Sequence, residues 1–448
     1  MSSMRRSMVD NTVRRPLGVA RPSNRQDLLA QSIFAVFLIL IFVGLTPFPS
    51  SESLASGLIA TGEGDLTRQI SYLVAFVIVV GLAFATRGQM ALRAFPVPLA
   101  IVLIWCLLSI GWAIAPDIAA RRVTLTIILS CCVMFSVDML GVQRSLQVLR
   151  FVLAAILIVN CISLLFIPQA IHLPGELEVE LTGDWRGMHG HKNIAGPIAA
   201  LSALLFYHFG LATRRWSDWI LFLMAVVFLV GTESKTAIGF FVLSIVVSTT
   251  CRQMYRTESG RRFFIGIFVF ALLLTAGLWI FASDTFADLL SDPTQFTGRV
   301  AIWQAVLSYV RENPILGAGF GSFWGIGEAS PAKALSPNEK WIEIIPHSHN
   351  GYLEILVTTG SIGLFLSVVA FVIIPLKQLL GRNSYDIELR SFLLSVFTFI
   401  VFSNLLETIF LSRDLSVWIV FLIFLAVIHQ VSAKGLSNVK LTSSRNQP

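Results

Sequence analysis

Apolar runs long enough to cross a lipid bilayer recur along almost the whole of this chain, and no other feature restricts its fold so severely. A crossing helix needs about 20 apolar residues to span roughly 30 Å of hydrocarbon. Candidate runs lie near 28–46, 70–86, 95–113, 123–140, 151–168, 194–212, 217–231, 237–250, 263–282, 351–376, 391–411 and 415–433. Backbone amides and carbonyls in lipid must be satisfied within their own segment, so each run is predicted to be a helix. With 55% hydrophobic and only 13% charged residues among 448, the chain falls outside the range of an ordinary soluble domain. The expected fold is all-α: a polytopic membrane protein of about 12 transmembrane helices, with a large polar loop between the ninth and tenth.

Charge sorts these helices onto two sides. With a cytoplasmic N-terminus, 22 Lys and Arg fall inside and 11 outside, while 6 Asp and Glu fall inside, 19 outside and Asp138 within a span. The positive-inside rule therefore selects cytoplasmic N and C termini. The net charge of +7 is topology, and no nucleic-acid partner is expected. The expected organisation is a basic cytoplasmic tail over 1–27, helices one to nine over 28–282, an outer loop over 283–350, helices ten to twelve over 351–433 and a cytoplasmic tail over 434–448. The first apolar run exceeds the core of a signal peptide and is read as a retained span. Cys106, Cys131, Cys132 and Cys161 lie within spans and Cys251 at an inner helix end, which excludes a disulfide framework.

Polar chemistry concentrates on the outer side. The turn after the third span carries Arg121 and Arg122, readable as an anion site or as a pair partly neutralised by Asp117 and snorkelling to head groups. The next outer loop holds Trp185-Arg186-Gly187-Met188-His189-Gly190-His191-Lys192-Asn193. Glycines that admit close backbone approach, beside Arg, Lys and two His, describe an anion pocket, against simple interfacial anchoring by Trp185 and Arg186. Lys235 sits in the tight turn Gly231-Thr232-Glu233-Ser234-Lys235, either in the site or paired with Glu233. In the large loop, Thr297 can cap an amphipathic helix near 298–311 along which Val300, Trp303, Val306 or Leu307, and Val310 recur, and Arg299 projects from its first turn. Asn313-Pro314 stops that helix, and Gly317-Ala318-Gly319-Phe320-Gly321 makes a turn. The loop ends in His347-Ser348-His349-Asn350 at the mouth of the tenth span. Glu407 is placed near the outer end of the eleventh span, as a structural partner of Arg413.

Guanidinium forks suit a phosphate-rich ligand, and a histidine at the membrane surface can take a proton near neutral pH. Together they suggest group transfer from a lipid-linked phosphate or diphosphate, the arginines neutralising the leaving group. Two His-x-His pairs, His189/His191 and His347/His349, also raise a metal site, which the crowding arginines disfavour. A transporter or flippase is the alternative from another class, but its binding residues would be expected near mid-membrane.

The HKN segment at 191–193, Gly298-Arg299-Val300-Ala301-Ile302-Trp303, Asn313-Pro314-Ile315-Leu316-Gly317-Ala318-Gly319 and the HxHN segment together resemble the O-antigen ligase and polysaccharide polymerase superfamily (the Wzy-C group), especially its ExoQ-type exopolysaccharide polymerases. The ligase pattern of His-Asn, nine residues, Gly, two residues, Gly is met by His349-Asn350, Gly360 and Gly363. The resemblance implies transfer of a glycan from undecaprenyl diphosphate to an acceptor hydroxyl on the periplasmic face of a bacterial inner membrane, without cofactor or metal. It maps the catalytic residues to His349, Arg186 and Arg299, with Lys192, His191, Asn193, Arg121, Arg122, Lys235, His347 and Asn350 as substrate-binding candidates. The implied partners are the lipid-linked donor, a glycan acceptor, membrane lipids, and chain-length and export proteins. A polymerase extends another lipid-linked repeat unit and is the favoured reading; a ligase hands finished polymer to lipid A core.

Overall fold

The computed structural model describes residues 24–49, 66–174, 176, 179–255, 257–267, 299–335, 345–381, 386–413 and 415–433. Most of the basic N-terminal tail, residues 268–282 of the expected ninth span, Thr297 and the C-terminal tail lie outside them. The described chain forms α1 (Asn24–Val43), α2 (Leu66–Arg87), α3 (Val97–Leu108), α4 (Pro116–Leu140), α5 (Val142–Phe166), α6 (Lys192–Thr213), α7 (Trp216–Gly231), α8 (Lys235–Met254), α9 (258–267), α10 (Arg299–Glu312), α11 (Pro331–Leu335), α12 (Gly351–Leu380), α13 (Ile387–Ser403) and α14 (Ser416–Ala433). Among the described residues the one β-type contact is an isolated bridge between Ile171 and Trp185.

Seven of these helices are long and apolar enough to cross a membrane: α1, α2 with its continuation to Ala94, α4, α5, α6, α8 and α12. Three shorter apolar helices join them: α3 with its continuation to Trp112, α7 and most of α14. Outward faces carry large exposed apolar side chains such as Val77, Ile104, Phe151, Phe166, Val246 and Phe365. Water would not tolerate so continuous an apolar surface, and lipid requires it. The centre is different. Val417 to Ile428 on α14 are buried at every position, and α4, α6 and α13 are buried along most of their length. Of these, α14 packs on α4, α6 and α13, and α6 packs on α13; other helices flank them, α2 on α4, α7 on α6, α8 on α13 and α1 on α5. The five cysteines are all free.

The eleventh run ends earlier than its apolar length suggests. Its helix stops at Ser403, because the Asn404 side-chain oxygen accepts the amides of Ile409 and Phe410, both at 3.0 Å, and turns the chain. Glu407 thus sits in a turn and not in a span. The expected amphipathic helix is α10; its buried Val300, Ile302, Ala305 and Val306 face protein, packing against α12 and the loop that follows α10 rather than against lipid.

The helices alternate between two ends. At one, ion pairs tie neighbouring helices: Arg87 with Asp138, Arg144 with Asp27, Arg150 with the fully buried Asp218, and Arg252 with Glu388. This is the end that the charge distribution assigns to the cytoplasm. At the other lie the starts of α4, α6, α8 and α12, and every expected site residue.

Candidate active site

The turn His347-Ser348-His349-Asn350 is built by its own side chains. The Asn350 oxygen accepts the amides of Tyr352 and Leu353 at 3.0 and 3.1 Å, capping α12. His347 Nδ1 accepts the His349 amide at 3.3 Å, and the two rings meet edge to face with centroids 4.4 Å apart. Accepting at Nδ1 requires a neutral His347, and burial, reinforced by the neighbouring His349 and Arg299 groups against the opposing pull of Glu407, pushes its pKa down to about 3. His349 itself has φ +50°, in the left-handed region. Two residues on, Gly351 donates to the carbonyls of Asn404 and Glu407 at 2.8 and 3.1 Å, and a Cβ there would run into the Asn404 side chain. The residue after the histidine-asparagine pair is glycine for that reason.

Glu407, brought in by the Asn404 turn, faces His349. Its Oε2 lies 3.8 Å from His349 Nδ1, and its Oε1 accepts from Arg299 Nη2 at 2.9 Å. Arg299 Nη1 donates to the Leu406 carbonyl. Burial raises the Glu407 carboxyl, but the His349 and Arg299 groups beside it outweigh that and hold it below the usual carboxylate range. His349 Nδ1 is buried without a hydrogen-bond partner among the described residues, while a quarter of the side chain is exposed. Solvent therefore reaches the rest of the ring. An imidazole with one nitrogen turned to a buried carboxylate and an open edge elsewhere has the arrangement of a general base.

Beside it, the loop 313–325 lies across the α3–α4 turn. Gly317, Gly319, Gly321 and Gly325 all have positive φ. Ile114 donates to the Ala318 carbonyl at 3.1 Å, Phe320 to Ser109 Oγ at 2.9 Å and Ala115 to Ser322 Oγ at 2.7 Å. On its other side, Ala318 donates to the Val357 carbonyl and Ser361 to the Pro314 carbonyl, where α12 is broken at Gly360 (φ 70°, ψ −175°). Gly360 of the sequence pattern is thus the seat of this loop: a Cβ there would strike the Ile315 carbonyl. Arg122, expected to bind substrate, donates to the carbonyls of Gly321, Trp324 and Gly325 and so anchors the same loop. Arg121, next to it, is half-buried.

The second basic loop is closed on itself. Arg186 is fully buried; it grips Glu176 with both nitrogens at 2.8 and 3.2 Å and donates to the carbonyls of Gln169 and Gly190 at 2.8 and 3.4 Å. His172 Nδ1 bonds the same carboxylate at 2.8 Å and its Nε2 accepts the Lys192 amide at 3.2 Å. That tautomer is neutral, and burial lowers the His172 pKa accordingly. Lys192 is paired with Asp184 at 2.6 Å, and His191 Nδ1 accepts the Asn193 amide at 3.0 Å as the cap of α6. His189 is buried against Asn160 at 3.3 Å, its pKa pushed down to about 4 by burial. Lys235 is exposed at the start of α8, and Glu233 and Lys235 form no ion pair among the described residues.

The structure therefore brings Arg299, His347, His349 and Asn350 together around Glu407, and assembles Arg186, His191, Lys192 and Asn193 in a separate, internally paired loop. Of the two His-x-His pairs, His191 serves as a cap, His347 in a turn and His189 in a buried contact, while His349 faces Glu407, and no metal-holding cluster occurs among the described residues. Sequence reasoning missed Glu407 as a site residue, assigning it to Arg413. It also missed Glu354, Trp324 and Glu176. The signal available for Glu407 was a lone carboxylate at membrane depth.

Residues 219–368 match the family described as O-Antigen ligase (Wzy_C), a range holding Arg299, His347, His349, Gly360 and Gly363 but neither Arg186 nor Glu407. The chain is also 23% identical over 305 residues to the exopolysaccharide production protein ExoQ of Rhizobium meliloti (strain 1021), covering 65% of this chain and 67% of that protein. Both bear out the resemblance to this superfamily; the matched range holds the GRxxxW and HxHN segments, while the HKN segment at 191–193 precedes it.

Proposed function

We propose that this chain is a membrane glycosyltransferase that polymerises undecaprenyl-diphosphate-linked repeat units into exopolysaccharide, on the periplasmic face of a bacterial inner membrane, with both termini cytoplasmic. The observation that carries this reading is the Arg299–Glu407–His349 group at the mouth of α12. An acceptor hydroxyl attacks the anomeric carbon as its proton passes to His349. The bond from that carbon to the phosphate oxygen breaks, and lipid diphosphate leaves with the electron pair. Glu407 stabilises the imidazolium that forms. Arg299 uses two of its five N–H donors among the described residues, leaving the others for the diphosphate oxygens. Charge on the leaving group is met by guanidinium, so the reaction balances with no metal ion.

The family match is described as a ligase and the relative is described by exopolysaccharide production, so transfer to lipid A core is the second reading. One gel of a deletion strain separates them. Polymerisation predicts accumulation of single lipid-linked repeat units, loss of secreted polymer and intact core lipopolysaccharide. Ligation predicts long lipid-linked polymer that never reaches lipid A, and that result would replace the first reading by the second.

A further inference from the structure

We infer that Trp303 and Glu354 are positioning residues that hold the His349 backbone in its working conformation, acting through Ser348; this rests on the reading of His349 as the base. A non-glycine residue at positive φ is strained and persists only where its surroundings fix it. For His349 the fixing is done one residue earlier. Ser348 is fully buried and each of its polar groups is engaged. Its amide donates to Glu354 Oε2 at 2.9 Å, its carbonyl accepts from Trp303 Nε1 at 3.0 Å, and its hydroxyl donates to the Asn350 carbonyl at 2.7 Å.

Trp303 lies four residues after Arg299, hence on the same face of α10. That face delivers a guanidinium to Glu407 and an indole N–H to the peptide leading into His349, which gives the Arg and the Trp of the GRxxxW segment a physical task. Glu354 gathers the other side. The same Oε2 accepts Trp324 Nε1 at 2.9 Å, and the Trp324 carbonyl accepts Arg122 Nη1 at 2.8 Å. The loop seated on Gly360 and on the α3–α4 turn is thereby coupled, through one carboxylate oxygen, to the peptide before the base.

The test is steady-state kinetics of the purified full-length protein in nanodiscs, with a lipid-diphosphate oligosaccharide as the probe. Trp303→Phe keeps an aromatic ring but removes the N–H together with the five-membered ring that carries it; kcat is expected to fall at least about 5–10-fold, the factor of one neutral hydrogen bond, with donor KM unchanged. In a His349→Ala background the same change should cost nothing further, since the group it positions is gone. Glu354→Gln should retain most turnover, because one amide oxygen can take both bonds. Glu354→Leu should lose about 100-fold, because it strands two N–H donors. Wild-type kcat for Trp303→Phe, or an equal loss in both backgrounds, overturns the inference. Should Trp303→Phe not fold, equal impairment of the two Glu354 variants would overturn it instead. Full turnover by His349→Ala alone is a different failure, that of the base itself, and removes this inference with it.

Discussion

Replacing Glu407 by Gln isolates the electrostatic part of the site. Gln keeps the shape and an acceptor for Arg299 Nη2, which lies 2.9 Å away, but removes the negative charge that faces His349 Nδ1 at 3.8 Å. Two unit charges at about 4 Å interact by about 4 kcal/mol at an effective dielectric constant near 20. The pair is not sealed, since His349 is 25% and Glu407 14% exposed. Solvent screening reduces the interaction to about 2 kcal/mol. Because the imidazolium exists only once the acceptor proton has moved, the loss falls on the chemical step: kcat should drop about 30-fold at about 1.4 kcal/mol per decade. Donor KM should hold or fall, as Arg299 is left with less of its charge neutralised. Single-turnover transfer from a lipid-diphosphate glycan, with binding measured separately, reads both. A raised KM at wild-type kcat would refute the argument, because Glu407 would then serve only to hold Arg299.

His347 is held neutral and accepts the His349 amide, so His347→Asn, whose side chain can make the same turn, should stay within about threefold of wild-type kcat while His347→Ala loses about tenfold; equal loss in both refutes the capping role. Gly360→Ala places a side chain at φ 70° against the Ile315 carbonyl and should lower the thermal midpoint and unseat the 313–325 loop, at a cost of about 1–3 kcal/mol or more; an unchanged midpoint refutes that seat. His347 and His189 are pushed down to about 3 and about 4 by burial, against about 6.5 unfolded, so below pH 6.5 the unfolded chain binds more protons and stability falls toward pH 4. Glu407, depressed in the fold, adds to this at lower pH, where its contribution is lost as it protonates. Thermal unfolding at pH 5 should come earlier than at pH 7.5, and an equal or later transition contradicts the assignment. Arg186→Lys should lower thermal stability more than it changes donor KM, since Lys cannot reproduce a buried two-nitrogen grip on Glu176; a KM effect at unchanged stability would restore it to phosphate binding.

Hydrophobic length made the helices legible, because lipid enforces a direct relation between apolar run and span. It failed at residues 404–411, where the sequence stays apolar but one side chain, Asn404, spends its oxygen on two later amides and turns the chain. The same turn takes Glu407 away from the nearby Arg413 that local sequence offers as its partner: its partners stand 108 and 58 positions away on α10 and just before α12. His349, Arg299 and Asn350 were legible because each belongs to a short motif. Glu354 and Trp324 were not, since their bond spans 30 positions and neither has a local pattern. The glycines at 360 and 363 are visible as spacing, but the reason for Gly360 requires knowing that the 313–325 loop returns to α12, and that for Gly363 that Trp105 of α3 packs there beside Thr359.

Both arginines that the resemblance maps to the diphosphate are held by carboxylates, and the two cases differ in what a phosphate would have to displace. Arg186 has no exposed surface and directs four hydrogen bonds at Glu176, Gln169 and Gly190. A phosphate could reach it only after Glu176 left, which would also strip His172 of its acceptor and loosen the start of α6 through the Lys192 amide. Arg299 is 15% exposed and bonds one carboxylate oxygen and one carbonyl, so a diphosphate can join it without expelling Glu407. Retaining Glu407 matters, since the same carboxylate must face His349 when the proton arrives. A site in which leaving-group charge is met at Arg299, with Glu407 unmoved between guanidinium and imidazole, needs no loop opening before chemistry; one that recruits Arg186 does. On the proposed function, therefore, the first contact with donor falls to Arg299.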